Sequence, residues 1–276
     1  MARQIKTQNI IDQAHEILEA YHPMTVRQVY YQLVSRQVVE NTRSRYQAVS
    51  DALVDARLEG TIPWSWIEDR LRRPRHVSMW DDLTAFAETA RRAYRRDVWA
   101  TQECYLEVWL EKDALSGIFE DVLSGYGVTL NVGRGYDGWS SIRNAADRFQ
   151  SYDDVTILYF GDFDPSGEDM VRSLRDRLAQ LGSTPDIEKV SLTLEDIERY
   201  SLPPNFTKAT DTRRNAFVAK NGDVSVELDA LRVDVLRNRL TEEVERNMNL
   251  DALKRVHEQE ASERKQLVEA LREIGV

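Results

Sequence analysis

The chain has one cysteine, Cys104, so it cannot close an internal disulfide. Its four histidines, His15, His22, His76 and His257, are scattered singly and offer no spacing suited to zinc. Any bound metal is therefore expected to have oxygen ligands. No apolar run approaches the roughly 20 residues that cross a bilayer, and the opening MARQIKTQNIIDQ lacks the apolar core of a signal peptide. A soluble, cytoplasmic protein with no membrane contact is expected. An excess of basic charge is missing too. The formal net charge is −10, which by itself disfavours a polyanion as partner.

What is there redistributes that charge. With 276 residues, 42% of them hydrophobic, the chain can build one large or two medium packed domains. Residues 1–100 carry 15 Lys and Arg against 13 Asp and Glu, and residues 101–276 carry 22 against 34. The basic residues of the first part are clustered: Arg43 and Arg45; Arg70, Arg72, Arg73 and Arg75; Arg91, Arg92, Arg95 and Arg96. Such arginines suit phosphate oxygens, which the guanidinium fork grips in pairs. They also suit the solvated faces of ordinary helices.

Apolar Ile10, Ile11, Ala14, Ile17, Leu18 and Tyr21 recur at helical spacing. A second helix is predicted after His22-Pro23 with Thr25 as its N-cap, and a third from Asn41 or Thr42 to Gly60. TIPWSWIED follows, a candidate small strand or wing. The order suggests a winged helix-turn-helix module whose third helix offers Arg43 and Arg45 to DNA. An Arg-rich linker helix from about Asp81 to Arg96 completes a first domain, 1–100. From Tyr105 the grammar changes: YLEVWLE, GVTLNVG and VTILYFGD read as strands, separated by helical DALSGIFEDVLSG and SSIRNAADRFQ. This βαβ alternation predicts an α/β domain with a mostly parallel sheet over 101–276, closed by a charged helix or helix pair from Leu240.

Function in such sheets gathers at the carboxyl ends of the strands. Glu111 closes the first strand there, and Asp162 and Asp164 follow the third in GDFDPSGEDM, with Pro165 suited to the first position of a helix. Extended alternation puts Asp162 and Asp164 on one side. Carboxylates so placed repel one another unless a cation sits between them, and Mg²⁺ takes hard oxygen ligands of this kind. The competing reading is that the two Asp residues only cap the helix.

EKDA at Glu111–Ala114, GRGY at Gly133–Tyr136 and DFDPSG at Asp162–Gly167 together resemble a Toprim domain. The similarity is to that of the topoisomerase VI A subunit and its relative that makes meiotic double-strand breaks. VELDAL, residues Val226–Leu231, resembles a further element of that family. The resemblance implies Mg²⁺ (or Mn²⁺) on Glu111, Asp162 and Asp164; Lys112 and Arg134 are further candidates for phosphate contact, and Glu168 for assisting the metal or acting as an acid or base. It also implies a DNA-cleaving tyrosine in the winged helix, where TVRQVYY places it at Tyr31. Helical spacing assigns Val26, Val29, Tyr30 and Leu33 to the core stripe and leaves Tyr31 beside it, available, one turn beyond Arg27.

An unperturbed phenol ionises near pH 10 and needs a neighbouring cation, which Arg27 supplies. The implied activity is type IIB-like: Tyr31 attacks a phosphodiester of double-stranded DNA, gives a 5′-phosphotyrosyl link, and a homodimer cuts both strands, the tyrosine of one copy working with the acids of the other. The chain is short for a topoisomerase VI A subunit and nearest in kind to small standalone mini-A proteins. It contains no GHKL-type ATPase segment, so ATP-driven strand passage would need a separate subunit. Ser201–Phe217 has no counterpart in that subunit and suits a dimer or DNA contact as well as a surface loop. Two rival readings are a hydrolytic Toprim nuclease and a non-catalytic winged-helix regulator.

Overall fold

A computed structural model describes residues 2–68, 77–133, 138–204 and 211–273. Three helices open the chain: α1 (Ala2–Tyr21), α2 (Val26–Ser35) and α3 (Arg43–Leu58). Their apolar stripes face one another, with Ala14, Ile17, Leu18, Val29, Leu33, Val49 and Leu53 all buried. Thr25 does cap α2. Its hydroxyl accepts from Gln28 N and the Gln28 side chain accepts from Thr25 N, a reciprocal pair that satisfies two otherwise orphan donors. Thr42 caps α3 by accepting from Arg45 N. The following TIPWSWIED forms a short 3₁₀ turn, Trp64–Trp66, and a single bridge from Ile67 to Met24. No hairpin wing forms there among the described residues.

The linker helix α4 spans Leu83–Ala93, shorter than the charge pattern suggests. Its arginines, Arg91 and Arg92, bond Glu88, and beyond its end Arg96 bonds Glu263. Arg70, Arg72, Arg73 and Arg75 lie outside the described residues.

The second part is α/β, as expected. Strands β1 (Tyr105–Leu110), β2 (Thr129–Val132), β3 (Val155–Phe160) and β4 (Asp186–Ser191) form one parallel sheet in the order β2-β1-β3-β4. Helices α5 (Ser116–Leu123), α6 (Trp139–Phe149) and α7 (Pro165–Gln180) make the crossovers. β1 runs out to β2 on one side and β3 to β4 on the other, so the crevice at the top of β1 and β3 is the switch point where parallel sheets hold their sites. β1 is buried along its whole length, as a central parallel strand requires. Its polar member, Glu107, is satisfied in place by Arg148, Tyr105, Trp109 and Asn131.

The remaining elements are α8 (Leu194–Arg199), α9 (Arg214–Asn221), α10 (Val233–Arg246) and α11 (Leu250–Glu273). The closing pair thus begins before Leu240. Nearly all the buried apolar residues from Ile10 to Val256 belong to one continuous cluster, so helical and sheet parts share a core. No helix among the described residues is long and apolar enough to cross a membrane.

Candidate functional site

At the switch point Glu111 continues the ladder of β1, its N–H donating to Phe160 O. Its Oε2 accepts from Asp162 N at 2.9 Å. Two glycines make this closeness possible. A Cβ on Gly161 would stand 2.6 Å from Glu111 Oε2, and one on Gly167 would collide with the carbonyl oxygen of Asp162. Asp164 caps α7, its Oδ1 accepting from Gly167 N at 2.7 Å, with Pro165 in the first turn. The capping role holds for Asp164 and not for Asp162.

Asp162 is oriented from elsewhere. Phe163 and Val226 exchange backbone hydrogen bonds across an antiparallel bridge, which lays residues 226–231 along the site. Leu228 N then donates to Asp162 Oδ1 at 2.8 Å. Glu168 turns to Lys189, at 2.5 Å, and Lys189 also donates to Asp162 O. Its predicted metal role therefore competes with an ion pair.

Burial first, and then the charge of Asp162 with a share from Asp164, pushes Glu111 up to about 7. Burial also raises Asp162, against the pull of Lys112. Carboxylates whose charges resist one another are the kind of oxygen donors that a hard divalent cation takes. As placed, no three Asp, Glu, His or Cys side chains among the described residues surround a metal position. The compensating charge is Lys112, which the sequence reading gave to phosphate: its Nζ lies 2.9 Å from Asp162 Oδ2 and 3.0 Å from Glu227 Oε2. Burial opposes that charge, and Asp162, Asp229 and Glu227 overcome it, so its pKa rises.

Glu227 and Asp229 are the residues whose roles sequence reasoning missed. The available signal was their position as acids inside the apolar VELDAL. Glu227 Oε2 accepts from Tyr31 OH at 2.8 Å, from Arg27 Nη2 at 2.9 Å and from Lys112. Although burial resists it, Lys112, Tyr31 and Arg27 hold its carboxyl down at about 2. Asp229, 1% exposed, accepts from Arg27 Nε at 3.2 Å, and its Oδ1 has no hydrogen-bond partner. Burial pushes it up to about 6.

Tyr31 is thus not the open residue that helical spacing suggested. It is 9% exposed, because the segment that bears Glu227 covers the second face of α2, where Gln32 also donates to Leu231 O. Burial and the bond to Glu227 raise its pKa, with Arg27 opposing; the phenol is held protonated. Tyr30 is structural, its hydroxyl reaching Asn41 and Thr42 O. Arg43 and Arg45 are exposed in the first turn of α3.

Arg134 and Tyr136 lie outside the described residues, as does 205–210 within the Ser201–Phe217 segment. The last part of that segment turns inward, Arg213 pairing with Asp211 and Asp169. The structure therefore brings together Tyr31, Arg27, Lys112, Asp162 and Glu111, with Asp164 alongside. Glu168 and Arg45 stand apart from that line, while Arg43 lines a cleft beside Tyr31 and Arg27. Sequence comparison finds no matching family model and no matching curated protein.

Proposed function

We propose that the protein cleaves double-stranded DNA by tyrosine transesterification, in the manner of a type IIB topoisomerase A subunit. On this reading residues 1–100 act as a winged-helix module and residues 101–276 as a Toprim domain. The observation that carries it is a line of hydrogen bonds and ion pairs from Tyr31 through Glu227 and Lys112 to Asp162, whose N–H bonds Glu111. It joins residues that lie 50 to 196 positions apart in sequence.

In the reaction the Tyr31 oxygen forms a bond to phosphorus, and the phosphorus bond to the 3′ oxygen of the leaving strand breaks. The phenolic proton is given up and the leaving oxygen takes one, so a 5′-phosphotyrosyl link and a 3′ hydroxyl result. One ester replaces another, and the step reverses without ATP. Glu111, Asp162 and Asp164 would hold Mg²⁺ or Mn²⁺, which when bound stabilises charge on the phosphate and the leaving oxygen. Arg27 steadies charge at the attacking phenol. Arg43 and Arg45 hold the duplex backbone.

A homodimer would cut both strands, and a separate GHKL-type ATPase would supply any strand passage. Within one copy Tyr31 reaches Asp162 only through Glu227 and Lys112, and in the dimer the tyrosine of one copy would work with the acids of the other. The test is supercoiled plasmid with Mg²⁺, stopped with denaturant and probed for protein on DNA 5′ ends. Wild type should give the adduct and Tyr31→Phe none. Burial of Tyr31 favours one second reading, hydrolysis by a Toprim nuclease. Cutting by Tyr31→Phe at the wild-type rate would establish that reading in place of the first.

A further inference from the structure

Three donors converge on one carboxylate oxygen: Tyr31 OH, Arg27 Nη2 and Lys112 Nζ lie 2.8, 2.9 and 3.0 Å from Glu227 Oε2. A carboxylate oxygen offers about two lone-pair directions, so this one is oversubscribed. The two non-bridging oxygens of a phosphodiester would share the same donors with room to spare, and a guanidinium with an ammonium is the usual grip on such a group. We propose that Tyr31, Arg27 and Lys112 form a binding site for a nucleic-acid phosphodiester, and that the Glu227 side chain is its intramolecular occupant, displaced when DNA enters.

Both cations stay in position without Glu227. Arg27 keeps Asp229 through Nε, and Lys112 keeps Asp162. The backbone around Glu227 is fixed by the Phe163–Val226 bridge and the Leu228 bond to Asp162, so only a side chain has to turn. There is a way in. The Arg27 and Glu227 side chains are 45% and 34% exposed. Beside them opens a cleft of about 340 Å³ whose lining includes Tyr31, Arg27, Arg43 and Tyr46 and no acid among the described residues. Occupied by Glu227, the site holds the phenol on a carboxylate. Occupied by a phosphodiester, it sets the same phenol against phosphorus.

The inference takes the identity of its ligand from the proposed function, and its test reads binding with EDTA present, where cleavage does not interfere. Labelled duplex DNA is titrated by anisotropy and inorganic phosphate by thermal shift. Glu227→Gln should bind both at least about tenfold more tightly than wild type, the scale of one competing charge-assisted bond. Arg27→Gln added to Glu227→Gln should abolish the gain, and Glu242→Gln, an exposed control on α10, should change affinity less than about twofold.

No gain, a gain that survives Arg27→Gln, or an equal gain in the control overturns the proposal. A gain for inorganic phosphate alone overturns the assignment to nucleic acid. Glu227→Ala is the second variant; if neither it nor Glu227→Gln melts cooperatively, Glu227 is a structural pin and the proposal falls. Tight binding without a Tyr31 adduct would sink the transesterase reading and leave this site standing. An adduct without the binding gain would do the reverse.

Discussion

Replacing Lys112 by Met removes a charge and almost no volume. In the folded protein that charge faces Asp162 Oδ2 at 2.9 Å and Glu227 Oε2 at 3.0 Å, on a side chain 14% exposed. Breaking a buried pair by deleting one partner costs about 3–5 kcal/mol. The lower end applies here, because Glu227 is 34% exposed and can turn to water, whereas Asp162 cannot. A loss of about 3 kcal/mol lowers the midpoint of a chain this size by roughly 6–12 °C. Calorimetry in EDTA at pH 7.5 measures it.

Mg²⁺ is then added. If Glu111, Asp162 and Asp164 are its seat, the vacated position beside Asp162 makes Lys112→Met the stronger binder. Ligand at about 100 times its dissociation constant returns about 2.7 kcal/mol, nearly the whole loss, while wild type gains less. The double variant Lys112→Met with Asp162→Asn should recover stability without Mg²⁺ and lose its response to it. A midpoint within about 2 °C of wild type in EDTA would refute the internal-cation role of Lys112. An equal Mg²⁺ shift in wild type and Lys112→Met would refute these acids as the metal seat.

Asp229 gives a pH prediction. Its folded pKa is raised by burial from 3.8 to about 6, so its contribution to stability is complete below 3.8 and is lost as pH rises through about 6. Relative to Asp229→Asn, wild type should lose up to about 3 kcal/mol between pH 4 and 7.5, at about 1.4 kcal/mol per unit; a pH-independent difference in melting would contradict this. Arg43→Ala and Arg45→Ala should weaken duplex binding for all sequences alike, each reducing the slope of log affinity against log salt by about 1, as anisotropy at several salt concentrations would show. Gly161→Ala puts a Cβ 2.6 Å from Glu111 Oε2 and equally close to the Tyr159 ring, so that one or both side chains must move. Metal-dependent plasmid cutting should fall on the order of a hundredfold with a cooperative melt retained, and unchanged cutting would show that Glu111 can work from elsewhere.

Much of this was legible in advance for local reasons. Thr25 and Gln28 specify the start of α2 by themselves, and the apolar runs of β1 and β3 carry the pattern of strands buried on both faces. Glu111 and Asp162 could be placed at strand ends because strand ends are a local property. β4 was missed because DIEKVS sits at the sheet edge with charges interleaved, lacking the apolar run that marked its neighbours. The environment of Tyr31 was beyond reach for a different cause. Periodicity shows which side of α2 faces α1 and α3, but not that residues 227–231 arrive to cover the other side. The role of Lys112 shared that fate, since its partners come from Asp162 and Glu227, 50 and 115 positions away.

The bridge between Phe163 and Val226 also orders events in time. Until residues 227 and 228 have left the ribosome, Tyr31 lacks its acceptor, which lies 196 positions downstream, and Asp162 lacks its Leu228 donor. Contacts of such long sequence separation close late, after local helices and hairpins have formed. A partly made chain can therefore hold a folded helical head and all four strands of the sheet while the line from Tyr31 to Asp162 is still unbuilt.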